Sequence, residues 1–257
     1  NGEAFAAALA KARVDLWFTA RANEPTTLAF VMRGTAETGA RYSFYLDSTS
    51  FDGAWPFPPE WPAGARHLHV GSISALDARH GESVVVAMTK AREYATTSFD
   101  PNIRPLVTPD RAKVIALVER QLALASIVKA SEEDLHWLYP DRDPEVSIAD
   151  WARRGPYFSV VTRGAAGAVA YLGALRLEVR APKVEVADTV GAGDSFMSAL
   201  IAAMDADKAL GKSAGAPSAA SLSRWLNFAA TASAITCTRK GSDPPTRGEV
   251  EARLQQP

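Results

Sequence analysis

Asp188-Thr189-Val190-Gly191-Ala192-Gly193-Asp194 runs directly into Ser195 to Met204 (SFMSALIAAM), an apolar stretch built of helix-forming residues. The small residues at 191 to 193 let the backbone turn tightly and aim several N–H groups at one spot, which the following helix places at its positive end. Anionic phosphate is favoured there. A carboxylate at the helix entrance, Asp194, can also accept a proton from an attacking hydroxyl, as phosphoryl transfer requires. Asp caps helices equally well, and residue type alone leaves both roles open. Neither a Gly-x-x-x-x-Gly-Lys-Ser/Thr loop nor an early Gly-x-Gly-x-x-Gly after a first strand occurs, so the dinucleotide-binding alternative lacks its fingerprint.

The 257 residues are 47% apolar, enough for one sizeable core. Lys and Arg total 28 against 29 acidic residues, a net charge of −1 that gives no electrostatic case for nucleic acid or a membrane surface. Cys237 is the single cysteine, which excludes an internal disulfide framework and points to a buried thiol in a reducing compartment, the cytoplasm. The longest apolar runs are about half of what a bilayer crossing needs. The chain opens without Met on an Ala-rich helical pattern (Phe5, Ala8, Leu9, Ala12).

Two β-like runs come first, Thr27 to Met32 and Arg41 to Leu46, joined by Gly34 to Gly39. They read as a small sheet projecting from the main body. Phe51 to Gly64, rich in Pro and Trp, reads as an irregular surface segment. From His67 the pattern turns to short strands alternating with helices: strand 67–70, helix 76–94, strand 97–99, helix 109–124, strand 126–129, helix 132–138, strand 157–162. A hairpin (167–171 with 175–179) follows, then the helix of the opening stretch, a loop at 211–221, a helix at 223–235 and a short one around Val250. Such alternation predicts a mostly parallel sheet with helices on both faces. Ligands of such sheets collect at the strands' carboxyl ends. Asp100 to Arg104, Lys129 to Asp134, Thr162 to Gly167 and the opening stretch all fall there. His67 and His69 alternate along one strand, with no cysteine or third ligand nearby to complete a metal site.

Asp-Thr-x-Gly-Ala-Gly-Asp before a helix resembles the C-terminal signature of the ribokinase-like (PfkB) carbohydrate kinases. Phe99-Asp100-Pro101-Asn102-Ile103-Arg104-Pro105 is similar to a segment of the fructokinase-type and 2-keto-3-deoxygluconate-kinase-type members. Glu24 to Thr27 with Tyr42 to Tyr45 look like their lid strands, Val161 to Gly164 with Gly167 like the nucleotide-side loop, and Thr238 to Gly241 like a stretch near the adenine pocket and a monovalent cation. The resemblance implies one α/β domain over 1–257 with a lid at approximately 24–47. It implies Asp194 as general base, the amides of Gly191, Ala192 and Gly193 as anion hole, and ATP with Mg²⁺ as donor. Lys129, Ser131, Asp134, Thr162, Gly164, Gly167 and Gly193 would contact the nucleotide; Asn102 and Arg104 would contact the sugar. Asp188 and Val190, with the carbonyls of Thr236, Arg239 and Gly241, match positions that bind K⁺ in related kinases.

Three departures accompany these matches. Ser131-Glu132-Glu133-Asp134 puts Ser and Asp where the family's Asn-x-x-Glu motif has Asn and Glu, and Ser131 before three acids is also a strong helix start. Lys129 reaches a phosphate or sits solvated at the strand end. The family's first strand with its substrate-binding Asp, and its Gly-Gly-x-x-x-Asn segment, do not occur in the sequence, and the expectation is a stretch missing from the record and not an evolved short form. The expected activity is ATP-dependent phosphorylation of a small sugar, fructose first, with 2-keto-3-deoxygluconate, ribose or a nucleoside as alternatives. A homodimer through the lid strands is a further expectation. A non-catalytic binding or assembly module on the same fold is the alternative from another class, and it predicts erosion of the signature, which is intact.

Overall fold

A computed structural model describes residues 2–32, 41–53 and 62–256. The chain enters through helix α1 (Gly2–Lys11), which buries no side chain, and an antiparallel pair, β1 (Leu28–Met32) and β2 (Arg41–Tyr45). Then come β3 (His67–Gly71), α2 (Ser72–Leu76), α3 (Gly81–Ala91), β4 (Thr96–Asp100), α4 (Arg111–Leu124), β5 (Ile127–Ser131), α5 (Glu132–Leu138), α6 (Pro144–Trp151) and β6 (Phe158–Thr162). The hairpin β7 (Ala168–Leu172) and β8 (Leu175–Val179) precedes α7 (Ala192–Ala206), α8 (Ala219–Cys237) and α9 (Arg247–Leu254).

The main sheet has six strands in the order β3-β4-β5-β6-β7-β8, parallel through β6 and antiparallel thereafter. Because neighbours in sequence are neighbours in the sheet, right-handed crossovers put the connecting helices on one face. The two cores show the result. Phe99, Val128, Ala130, Val161 and Val169 pack with α2 to α6, while Ile127, Phe158, Val160, Ala168 and Ala170, one residue out of phase, pack with α7 and α8. The expected mostly parallel sheet with both faces covered is what forms.

Some boundaries differ from expectation. The single helix expected at 76–94 is two, because Asp77 accepts bonds from the Arg79 backbone and side chain at 2.8 Å and turns the chain between them. Helix α6 was not foreseen, although Asp143 caps it and Pro144 opens it, two standard start signals. Helix α8 begins at Ala219 behind a Ser218 cap, inside the expected loop. Phe51 is not a surface residue: it is buried in a short turn, its ring 4.8 Å from that of His80. Residues 54–61 of that segment, and the connection expected at 34–39, lie outside the described residues.

Candidate active site

Helix α7 starts with Gly191 as its N-cap, in a left-handed conformation with φ +80°. A Cβ there would lie 2.1 Å from Ser242 Oγ, so the position needs glycine both for its dihedral and for room. Asp188 ties the two loops together: its Oδ1 accepts from Val190 N–H at 3.1 Å and its Oδ2 from Gly241 N–H at 3.0 Å. The first turn of a helix presents amides that its own backbone cannot satisfy. Of the expected anion-hole trio, Ala192 N–H turns instead to the Thr189 carbonyl at 3.2 Å. Gly193 follows within the first turn, and Asp194, third residue of the helix, is solvent-exposed.

Asp194 meets the carboxyl end of β4. Asn102 Nδ2 donates to Asp194 Oδ1 at 3.3 Å from a backbone with φ +38°, a left-handed conformation that Asn tolerates better than most residues. Arg104, next but one, turns its guanidinium back to the Ile103 carbonyl at 2.9 Å. Behind them, Lys129 Nζ donates to Asp100 Oδ2 at 2.7 Å, both side chains 4% exposed. Lys129 is therefore buried and paired, and the solvated alternative does not hold. Burial pulls its ammonium down, but the charges of Asp100, Asp134 and Asp194 outweigh this and hold the pKa above the usual lysine range. A Cβ on Gly193 would sit 3.0 Å from Lys129 Nζ, so this positive charge lies directly beneath the first turn of α7. Asp100 Oδ1 is buried without a partner.

A polar chain continues along this face of the sheet. Thr96 Oγ1 donates to the Arg66 carbonyl at 3.3 Å and so accepts from His67 Nδ1 at 2.8 Å. His67 Nε2 then accepts from the Ser98 hydroxyl at 2.8 Å, whose oxygen accepts from His69 Nδ1 at 2.8 Å. The tautomers follow from the network. Burial, with the charge of His69, lowers the His67 pKa to about 4, which keeps the ring neutral near pH 7 and makes Nε2 the acceptor. His69 lies within electrostatic reach of Lys129 and Asp194. The pattern His-x-His before Gly71-Ser72 was the available signal for this edge of the site.

Ser131 and Asp134 form a reciprocal capping box at the start of α5. Both Asp134 oxygens are occupied: Oδ2 by Ser131 N–H at 2.9 Å and Ser131 Oγ at 2.7 Å, Oδ1 by Ile103 N–H at 2.7 Å. On the other side of Gly193 opens a cavity of about 580 Å³, whose walls include Thr162, Gly164, Gly167, Val186, Phe196 and Cys237. Its size and mainly apolar walls suit a flat organic ring beside an anion site. Ala181 to Val184 and Val186 also line it, and no periodicity marked that stretch in the sequence. Cys237 is half-buried on the wall; burial and then the charge of Asp188 push its thiol pKa up.

Among the described residues, no group of three His, Cys, Asp or Glu side chains is arranged to hold a metal. No helix among them is long and apolar enough to cross a membrane.

Residues 1–247 match the model described as pfkB family carbohydrate kinase. A fructokinase from Rhizobium leguminosarum bv. trifolii is 32% identical over 82% of this chain, which spans 64% of that protein's length. A fructokinase from Salmonella thompson is 36% identical over 72% of this chain and 81% of its own. Among solved structures, Vibrio cholerae O395 fructokinase with fructose, ADP and calcium superposes with a TM-score of 0.82 at 25% identity, covering 99% of this chain and 82% of that one. Its double mutant with fructose, ADP and potassium gives 0.81 at 25% identity, covering 99% and 81%. With the signature loop, the sheet order and the family match in agreement, the chain belongs to the pfkB family of carbohydrate kinases.

Proposed function

We propose that the protein transfers the terminal phosphoryl group of ATP to a hydroxyl of a small sugar, fructose first. The observation that carries this is the exposed Asp194 carboxylate in the first turn of α7, between the Asn102 loop and the cavity that begins at Gly193. Asp194 takes the proton of the attacking hydroxyl; the amides of the first turn, with Lys129 beneath them, stabilise charge on the group in transfer. The cavity receives the nucleotide's base, with Thr162, Gly164 and Gly167 along its wall. Asn102 and Arg104 face the sugar side. Fructose is favoured because fructokinases from Rhizobium and Salmonella are among the relatives and a Vibrio fructokinase with fructose is a structural neighbour.

Mg²⁺ takes its ligands mainly from phosphate oxygens and water in such reactions and needs no cage of protein ligands. For K⁺, the Asp188 carboxylate and the carbonyls of Val190, Thr236, Arg239 and Gly241 would be the donors, all oxygens of the right hardness. When bound, the cation would supply positive charge beside the anion site. The outward-facing Leu28, Phe30 and Tyr45 of the β1–β2 pair support pairing with a second copy.

The test is ATP consumption by the full-length protein over fructose, ribose, 2-keto-3-deoxygluconate and nucleosides. Turnover greatest with fructose is expected; no turnover with any acceptor refutes the proposal, and preference for another acceptor refutes the choice of sugar.

A further inference from the structure

A carboxylate at the carboxyl end of β5 invites assignment as a ligand of metal or phosphate, yet the Asp134 side chain is only 5% exposed as a residue and points into protein. Its three hydrogen bonds go to Ser131 N, Ser131 Oγ and Ile103 N. The last of these crosses from one βα loop to the next. Ile103 is itself buried, and it lies between Asn102, which reaches Asp194, and Arg104, which closes on the Ile103 carbonyl. Pro101 and Pro105 bracket the loop and have no N–H of their own, so it has few backbone donors with which to anchor itself. The left-handed backbone of Asn102 costs energy and persists only where its surroundings impose it.

We infer that Asp134 is a positioning residue, whose carboxylate fixes the Pro101 to Pro105 loop so that Asn102 meets the Asp194 carboxylate. The cap of α5 and the substrate-side loop are thereby one unit. A charged acceptor on a buried amide is among the stronger hydrogen bonds available to a backbone. Asparagine is a poor replacement in spite of its shape: its amide offers one acceptor oxygen and one NH₂, so it must confront either Ile103 N–H or Ser131 N–H with a second donor.

The functional consequence rests on the kinase reading proposed above; the anchoring itself does not. Two measurements on the full-length chain separate them. In a double-mutant cycle with fructose and ATP, Asp134→Asn is expected to lower kcat about tenfold with the ATP KM within about twofold, and to lower it by less than about twofold further when Asn102 is already Ala. Independent, multiplicative losses in the two backgrounds overturn the inference, since a merely structural lesion would be indifferent to residue 102. Amide exchange needs no turnover. Ile103 N–H in the wild type is expected to exchange about 100-fold more slowly than an unstructured amide, and Asp134→Asn to abolish that protection while α7 keeps its own. An unprotected Ile103 amide in the wild type overturns the inference even if the variant does not fold. A wild type that uses no sugar refutes the kinase reading, and the exchange data then decide the anchoring alone.

Discussion

Replacing Gly191 with Ala strikes the signature loop at its tightest point, and the structure separates the damage into two parts. The first is conformational. Gly191 has φ +80°, and an L-residue held in the left-handed region costs about 1–2 kcal/mol. The second is steric, because the new Cβ would lie 2.1 Å from Ser242 Oγ and 2.8 Å from Ser242 Cβ. Forcing atoms into a filled site costs typically about 1–3 kcal/mol. Together these predict a loss of about 2–5 kcal/mol, which at an m value of about 3 kcal/mol/M lowers the urea midpoint by about 0.7–1.7 M. Adding Ser242→Gly removes both clashing atoms and leaves Ser242 Cα, at 3.3 Å, as the nearest neighbour. The double variant should therefore recover about 1–3 kcal/mol relative to Gly191→Ala while retaining the dihedral cost. Urea unfolding of the four proteins of the cycle measures both parts. A Gly191→Ala midpoint within about 0.2 M of wild type, or no recovery on adding Ser242→Gly, would mean that the loop relaxes without using this geometry and would rule out both costs.

Two further outcomes follow from the buried polar face. Lys129→Met leaves the Asp100 carboxylate alone in a site where one of its oxygens already lacks a partner, and should cost about 3–5 kcal/mol at pH 7. Burial raises the Asp100 pKa, so protonation relieves the orphaned charge and the deficit in urea midpoint should shrink as pH falls; a constant deficit would contradict this. His67, with its pKa lowered to about 4 from 6.5, contributes stability that is fully present above 6.5 and is lost as pH falls through 4. Between pH 7 and 4.5 the wild-type midpoint should fall more than that of His67→Gln, and parallel curves would remove His67 from the account.

The signature helix was legible because glycine at 191 is a conformational necessity that leaves a mark in the sequence, and the strands because β5 to β7 alternate between two apolar faces. Strand β4, Thr-Thr-Ser-Phe-Asp, carried a weaker mark. It is buried throughout, and its polar side chains meet groups that only tertiary structure brings together, His67 and His69 on Ser98 and Lys129 on one oxygen of Asp100. The same limit governs Asp134. Its spacing from Ser131 announced the helix cap, but nothing local could show that its other oxygen would take the amide of Ile103, 31 residues earlier. The stretch 181–186 contributes to a cavity wall by position alone, so it had no pattern to read. Helix α6 is a different kind of miss, since the Asp143-Pro144 start was visible in the sequence.

The proposed reaction turns on Asp194 accepting the proton of the sugar hydroxyl. The most direct measurement is the fructose-dependent turnover of full-length Asp194→Asn beside wild type, with the affinity of each for ATP determined separately. Loss of a general base predicts a fall in kcat of about 10²-fold or more with ATP affinity within about threefold. Turnover within a few fold of wild type would contradict this role, because a residue that only sits in the first turn of the helix can be exchanged for asparagine at little cost.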